Sequence, residues 1–330
     1  MLLLVLISAA ADFAQSKLTA QDYYDRGMEF NKADRLDDAI TAFTKAIELS
    51  PKAAEAYNAR GFVYAKQGRD DRAILDYSQA VRIAQNYPTA YYNRGISYRK
   101  QKNTDLALAD FTRAIKFDPD YVFAYVHRGS LYDEQGKYDL ALADYSAAIR
   151  INPKYAKAYY NRGNTYRKLG KIDLSTAEFT AAIEIDSRYA NAYNNRGSNY
   201  FDQGKGDMAI PDYAKAIEID PKYAQAYYNR GSAYNKQADY ASAAADFSLA
   251  IEIDPLYTDA YYNRGVSYLG LGKNDLAITD LTRVTELDPK YNRAFSLRAY
   301  ANCVAGHKVQ AQNDERLTTQ LGGQLVKKCE

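Results

Sequence analysis

An arginine–glycine pair returns every 34 residues along this chain, and no other feature restricts its possible folds so tightly. The spacing holds without a slip over eight copies, whose glycines are Gly27, Gly61, Gly95, Gly129, Gly163, Gly197, Gly231 and Gly265. A unit of this length cannot bury its own hydrophobic face, so stacked copies must share one continuous core. The 330 residues are therefore predicted to form a repeat array rather than two or three independent domains.

Other positions repeat in phase with this glycine, which we take as position 0 of each repeat. Tyr stands at position −4 in all eight copies, an aromatic residue at +3, a small residue at +12 and a large apolar or aromatic residue at +16. Position +19 is Ala until Val284, and a proline closes six of the units (Pro51, Pro119, Pro153, Pro221, Pro255 and Pro289). Positions −8, −4, 0 and +3 share one face of a helix, and positions +12, +16 and +19 share one face of a second helix.

Each repeat is thus predicted to contain two helices of roughly 14 residues, since 34 residues must also hold two turns. Glycines lie where the first helix should end in a left-handed residue (Gly68, Gly136, Gly170, Gly204 and Gly272). Aspartates three residues later are predicted to cap the second helix (Asp37, Asp71, Asp105, Asp139, Asp173, Asp207 and Asp275). The aromatic residue at +16 should fill the groove beside the glycine.

Residues 20–291 resemble the tetratricopeptide repeat (TPR) in unit length, small–large spacing and closing proline, with Tyr where that family often has Trp. The resemblance implies an all-α, right-handed superhelical solenoid of helix-turn-helix repeats, whose first helices line a concave groove that receives extended peptides. The units it predicts are 20–53, 54–87, 88–121, 122–155, 156–189, 190–223, 224–257 and 258–291, followed by a degenerate ninth unit and C-terminal cap at 292–330.

The first residues carry a different signal. Met1 to Ala11 form an apolar run that ends in small residues, which is typical of a signal peptide, although no Lys or Arg precedes the run. We expect residues 1–19 to be a leader and the protein to be bacterial and periplasmic or secreted. If the run is not a signal, the location would be cytoplasmic. No other stretch approaches the roughly 20 apolar residues of a transmembrane helix.

Composition argues against several function classes. The formal net charge is +2, which gives no electrostatic footprint for nucleic acid. The chain has two His and two Cys, and neither His127 nor His307 stands in a metal or nucleophile motif. We therefore expect a non-enzymatic protein without a cofactor or metal. In an exported protein Cys303 and Cys329 would form a disulfide that fixes the C-terminal cap, and in a reducing compartment they would be two thiols.

The arginine at position −1 recurs together with an acid at position +15. The acids are Asp76, Asp110, Asp144, Glu178, Asp212, Asp246, Asp280 and, in the ninth unit, Asp314. A functional interpretation makes the arginines an anion-binding row. We favour ion pairs between facing helices, because a half-buried guanidinium without a partner would be costly. Counting alone does not decide whether each acid belongs to the same repeat or to the preceding one.

The remaining face of the first helices holds positions −6, −3, −2, +1, +4 and +5, and is predicted to bind a ligand. Its candidate residues are Tyr92, Asn93, Arg99, Lys100, His127, Tyr160, Asn161, Asn164, Arg167, Lys168, Asn195, Tyr228, Asn229, Lys236, Tyr262 and Asn263. A primary amide can donate to and accept from a peptide bond, so this row suits an extended protein segment. In the alternative interpretation the asparagines satisfy one another along the array.

The sequence thus predicts an adaptor or scaffold that binds protein or peptide partners. Two alternatives remain: a structural array that self-associates into a homo-oligomer, and a protein whose stacked tyrosines bind glycans or cell-wall fragments. Neither the partner nor the biological process follows from the residues.

Overall fold

The structure, a computed structural model, describes residues 18–327, and within that range it contains eighteen α-helices and no β-strand. Odd-numbered helices, here the A helices, have 13 residues each and even-numbered ones, the B helices, have 13 or 14. The chain divides into two compact units, Met1–Pro153 and Lys154–Glu330, which are described separately. No helix of the described range is long and apolar enough to cross a membrane.

Unit 1 contains α1 (Ala20–Lys32), α2 (Leu36–Leu49), α3 (Ala54–Lys66), α4 (Asp70–Ile83), α5 (Pro88–Lys100), α6 (Thr104–Phe117), α7 (Val122–Glu134) and α8 (Tyr138–Ile151). Unit 2 contains α9 (Ala156–Lys168), α10 (Ile172–Ile185), α11 (Ala190–Asp202), α12 (Gly206–Ile219), α13 (Ala224–Lys236), α14 (Tyr240–Ile253), α15 (Thr258–Gly270), α16 (Asn274–Leu287), α17 (Asn292–Val304) and α18 (Lys308–Gln320). In each unit every helix packs against the helices before and after it, as in a helix-turn-helix solenoid. The predicted all-α repeat fold is confirmed.

The repeated glycine is the point of closest approach between the two helices of a repeat. A Cβ atom placed on Gly95 would lie 2.7 Å from the ring of Phe111, and one on Gly163 would lie 2.8 Å from the ring of Phe179. The residues at +16 are fully buried in all of the first eight repeats. The predicted packing of this residue against the glycine is confirmed. It explains why a residue unfavourable in a helix interior recurs at this position.

The interior face of the A helices differs from the predicted one. The buried positions are the alanine at −5, the glycine at 0 and the residue at +2, such as Ala90, Gly95 and Ser97 of α5. The tyrosines at −4 and +3 are mostly half-buried because they flank the arginine at −1. In α15 the guanidinium carbon of Arg264 lies 5.5 Å and 5.8 Å from the rings of Tyr261 and Tyr268. These tyrosines therefore cover an ion pair with one side while the other side packs against the core.

The turn within each repeat confirms the predicted glycines and corrects the predicted aspartate caps. All five predicted glycines have φ between 69° and 76°. The aspartates do not cap the B helices, because each helix begins one residue before its aspartate or earlier. Several instead accept a hydrogen bond from the glutamine that ends the next A helix, as Asp37 does from Gln67 at 2.9 Å and Asp173 from Gln203 at 3.0 Å.

The arginine at −1 pairs with the acid of its own repeat, which resolves the question that the sequence left open. Nε of Arg264 donates to Asp280 at 2.7 Å, and Nη2 donates to the other oxygen of that carboxylate at 2.7 Å. Its Nη1 donates at 2.9 Å to Ser248, a residue of the preceding B helix. Arg26, whose repeat has Ala42 in place of the acid, is exposed. The row is therefore a set of structural ion pairs.

The C-terminal end of unit 2 is polar. The last helix, α18, exposes Gln310, Gln312, Asn313 and Arg316, together with Val309 and Leu317. Such an outer face is what the end of a solenoid requires. Cys303 lies on α17 and is disulfide-bonded in the structure. Cys329 and residues 1–17 of the leader expected at 1–19 lie outside the described residues, so both the Cys303–Cys329 pairing and the leader stay predictions.

Candidate functional site

The A helices form a continuous surface within each unit. Neighbouring A helices contact each other in unit 1 (α1 with α3, α3 with α5) and in unit 2 (α11 with α13, α13 with α15, α15 with α17). We call the surface made by positions −6, −3, −2, +1, +4 and +5 of these helices the A face. All sixteen residues predicted to bind a ligand lie on A helices, at these positions.

A ladder of hydrogen bonds between repeats runs along the A face. The asparagine at −2 donates its Nδ2 to the residue at −3 of the preceding repeat. The bonds are Asn93 to Asn58 at 3.1 Å in unit 1, and in unit 2 Asn195 to Tyr160 at 3.2 Å, Asn229 to Asn194 at 2.9 Å and Asn263 to Tyr228 at 3.0 Å. These four asparagines therefore follow the alternative interpretation, in which the amides satisfy groups of the array itself. Their amides join neighbouring repeats.

Asn161 and Asn164 stand apart from the other asparagines. The side chain of Asn195 also donates to Asn164 at 2.9 Å and accepts from Asn194 at 3.2 Å, so its amide has partners on both sides. Position −3 of the fourth repeat is a valine, Val126, which has no side-chain acceptor. The half-exposed side chain of Asn161 forms no hydrogen bond within residues 18–327, and Asn164 uses only its oxygen.

The tyrosines at −3 are half-buried instead of projecting freely from the A face. Four of the rings lie beside the aromatic residue at +16 of their own repeat, as in Tyr160 with Phe179 at 5.7 Å between centroids and Tyr228 with Phe247 at 5.7 Å. The fifth, Tyr262, packs against the buried cluster that contains Leu281. Burial raises the pKa of Tyr228 and of Tyr262. The sequence argument that separated these tyrosines from packing was therefore wrong. They offer ring edges and hydroxyls rather than whole faces to a ligand.

Most of the predicted positive charge on the A face is neutralised locally. Arg99 pairs with Glu134 of the next A helix, and its Nη1 lies 3.2 Å from Nδ1 of His127. Arg167 pairs in the same way with Asp202 at 2.9 Å.

Lysines of the A face also have partners. Nζ of Lys100 lies 3.6 Å from a carboxylate oxygen of Asp70, and the ammonium group of Lys236 lies 4.9 Å from the ring centroid of Phe201. Lys168 is exposed at the end of α9. Since acids alternate with these cations along the array, the A face is not a cationic surface.

Sequence reasoning missed an apolar row in unit 1. Position +1 holds Met28, Phe62 and Ile96 in the first three repeats, and Met28 and Phe62 are 45% and 46% exposed. The fourth to seventh repeats hold polar residues at the same position (Ser130, Asn164, Ser198 and Ser232), and the eighth holds Val266. The change from apolar to polar residues after the third repeat was visible in the sequence.

Sequence reasoning also missed a cavity of about 330 Å³ in unit 1. It lies between α1, α2 and α3 and is lined by Gln21, Tyr24, Ala46, Ala53 and Glu55, among others. The size is at the lower end of the range for ligand pockets in proteins. Ala53 occupies position −8, where the next seven repeats all have tyrosine, and this replacement was the signal in the sequence.

Comparison with known proteins decides the family. A sequence profile described as "TPR repeat" matches residues 23–68, 63–102, 129–170, 163–204 and 197–238, and one described as "Tetratricopeptide repeat" matches 88–121, 224–257 and 258–291. Together they cover well over half of the chain. The chain belongs to the tetratricopeptide repeat family. No curated protein matches it closely enough to add a named relative.

Solved structures agree on the TPR fold. A tetratricopeptide repeat protein from Parabacteroides merdae matches 78% of this chain and 98% of its own at 23% identity, with a TM-score of 0.57. The C-terminal part of a TPR protein from Cytophaga hutchinsonii matches 73% and 98% at 20% identity, with a TM-score of 0.58. Cut9 and Hcn1 form a hetero-tetramer of the APC/C, and a chain of that structure matches 90% of this chain and 58% of its own at 19% identity, with a TM-score of 0.58. At these identities the likeness establishes the fold, which is one used for protein interaction.

Proposed function

We propose that this TPR protein is a non-enzymatic adaptor or scaffold, and that its A face binds extended peptide segments of partner proteins. The observation that carries the proposal is the side chain of Asn161. It is half-exposed on the A face and forms no hydrogen bond within the described residues. An amide in that state has two donors and an acceptor available for one peptide bond of a ligand.

The neighbours of Asn161 support the same assignment. Asn164, one turn further along α9, keeps its Nδ2 donors available while its oxygen accepts from Asn195. The bond from Asn195 holds the Asn164 amide in a fixed orientation, which lowers the entropy that this side chain must lose when a ligand binds. The hydroxyl of Tyr160 adds a further polar group at the same edge.

Substitution of Asn161 by Ala tests this proposal cleanly. The change removes no internal hydrogen bond, so it should leave Tm unchanged while weakening the binding of peptides selected from an immobilised library. Loss of one or two net hydrogen bonds corresponds to a rise in Kd of about 3- to 30-fold.

Gln312→Ala provides the matched control, because it removes an exposed amide on the B helix α18. Asn195→Ala should lower stability as well as binding, since it breaks three bonds of the ladder. Unchanged peptide affinity in Asn161→Ala would remove the A face of α9 from the proposed function.

Location in a bacterial envelope or outside the cell is a further proposal. It depends on the apolar run at residues 1–11, which lies outside the described residues. N-terminal sequencing of the protein isolated from its own cells tests it: a first residue near position 12 supports export, and an intact Met1 contradicts cleavage.

A further inference from the structure

Four junctions between repeats share a socket filled by a tyrosine. The tyrosine at −8 of one repeat lies against the tyrosine at −3 of the repeat before it. Ring centroids are 5.2 Å apart for Tyr121 on Tyr92, 4.9 Å for Tyr189 on Tyr160, 5.0 Å for Tyr257 on Tyr228 and 5.3 Å for Tyr291 on Tyr262. In two of the four sockets the hydroxyl also donates to the residue at −6 of the earlier repeat, from Tyr257 to Gln225 at 2.9 Å and from Tyr291 to Asp259 at 3.0 Å.

The first junction has the same socket without its tyrosine. Tyr24 stands at −3 of the first repeat, but position −8 of the second repeat is Ala53. The cavity of about 330 Å³ lies at this place, lined by both residues and by Gln21 at position −6. The three residues therefore surround space that a tyrosine of the chain fills at the other four junctions.

The polar end of this socket matches that of the filled socket between the seventh and eighth repeats. Nε2 of Gln21 donates to Asp25 at 2.8 Å, just as Nε2 of Gln225 donates to Asn229 at 2.9 Å. In the filled socket the oxygen of Gln225 then accepts from the hydroxyl of Tyr257. Gln21 is oriented by the same kind of bond, so its oxygen can accept from a hydroxyl entering beside Tyr24.

We propose that this socket binds the tyrosine side chain of a partner protein. The ring would lie against Tyr24 above Ala53, and the hydroxyl would donate to Gln21, as Tyr257 does within the chain. The inference deepens the proposed function by naming one side chain of the ligand, and it relies on that function only for the source of the tyrosine.

The charges around the cavity restrict the ligand further. Glu55 is the one charged residue of its lining, is exposed, and forms no ion pair or hydrogen bond within residues 18–327. Its carboxylate and that of Asp25 lie close enough to Tyr24 to help raise the pKa of that phenol, after the larger effect of burial. A phosphate or sulfate ester on the incoming tyrosine would meet this negative potential. The socket should therefore select the unmodified side chain.

Saturation-transfer NMR on the full chain with N-acetyl-tyrosinamide as the probe tests the proposal. The wild type should bind this probe and should bind N-acetyl-phenylalaninamide about 2- to 10-fold more weakly, because the phenyl ring lacks the hydroxyl. Binding of the O-phosphorylated probe should be lost. Gln21→Ala should abolish the preference for tyrosine over phenylalanine without abolishing binding of the phenyl ring.

Ala53→Tyr fills the socket from within and is the decisive variant. We expect it to fold, to have a Tm at least equal to that of the wild type, and to raise the Kd of the tyrosine probe more than tenfold. Equal affinity in the wild type and in Ala53→Tyr would overturn the proposal. A dimer of the wild type that dissociates in Ala53→Tyr, as seen by light scattering, would overturn the assignment to a separate partner and place a tyrosine of a second copy in the socket.

This experiment separates the two proposals. The probe is a single residue, which needs only the socket on α1 and α3 and not the amides of α9. Loss of peptide binding in Asn161→Ala together with equal probe binding in Ala53→Tyr would contradict the socket alone. Unchanged peptide binding in Asn161→Ala together with weaker probe binding in Ala53→Tyr would contradict only the proposal that the A face of α9 binds peptides.

Discussion

Replacement of Arg264 by Met should destabilise the protein by about 3–5 kcal/mol, because it leaves a buried carboxylate without its partner. The side chain of Asp280 is 6% exposed and accepts two bonds from Arg264, both 2.7 Å long. The arginine also donates to Ser248 of the preceding repeat, so the cost includes one bond between repeats. Methionine keeps much of the length of the side chain and so limits the cavity contribution.

The chain contains its own control for this experiment. Arg26 occupies the same repeat position, but Ala42 replaces the acid and the arginine is exposed. Arg26→Met should therefore change stability by no more than about 0.5 kcal/mol. In the double variant Arg264→Met with Asp280→Leu, most of the loss should be recovered, because no buried charge remains.

Urea unfolding followed by circular dichroism measures the total loss, and hydrogen exchange of α15 and α16 shows that the loss is local. Equal effects of Arg264→Met and Arg26→Met would refute the reasoning, since the two sites differ in the buried acid. A loss below about 1 kcal/mol in Arg264→Met would refute it as well.

Two further predictions concern the core and its tyrosines. Gly95→Ala should lower the stability of the protein by about 1–2 kcal/mol, because a clash of the new Cβ with Phe111 at 2.7 Å outweighs the gain of about 1 kcal/mol in helix propensity. Gly265→Ala, whose new Cβ would lie 3.1 Å from the flexible Leu281, should be neutral or stabilising. Thermal melts of the two variants measure both effects. Burial raises the pKa of Tyr213 to about 12. The neutral Tyr213 phenol therefore makes its full contribution to the free energy of unfolding below pH 10. That contribution, on the order of 2–3 kcal/mol, is lost as the pH rises from 10 to 12. Alkaline unfolding of the wild type and of Tyr213→Phe, followed by tyrosinate absorbance and circular dichroism, measures it, and identical pH profiles would contradict the assignment.

Strict periodicity allowed the helix pairs and the contact of the glycine with position +16 to be predicted from sequence. The helix starts were less accessible. Asp37 is of a residue type that often caps the start of a helix, but α2 begins at Leu36. Its carboxylate instead accepts a hydrogen bond from Gln67 of the next repeat. The preference of a residue type for the start of a helix reflects the local backbone only. The bond between Asp37 and Gln67 depends on how two repeats stack, which such a preference does not include.

The candidate site shows the same limit. All sixteen predicted residues lie on the A face, but the sequence could not show that Asn229 would bond Asn194 while the side chain of Asn161 would form no bond within the described residues. Both asparagines stand at one repeat position and differ only in what the preceding repeat offers. Ala53 is the opposite case, because a departure from the repeat pattern marked the cavity directly.

Bonds from one repeat to its predecessor also bear on the mechanical resistance of unit 2. Arg264 and Arg298 each reach back to a hydroxyl of the preceding B helix, at 2.9 Å and 3.1 Å, whereas Arg230 finds Ala214 at that place and bonds only its own acid. The seam between α12 and α13 therefore lacks the arginine bond that crosses the seams between α14 and α15 and between α16 and α17. We expect Ala214→Ser, which supplies the missing hydroxyl, to raise the force at which α12 and α13 separate.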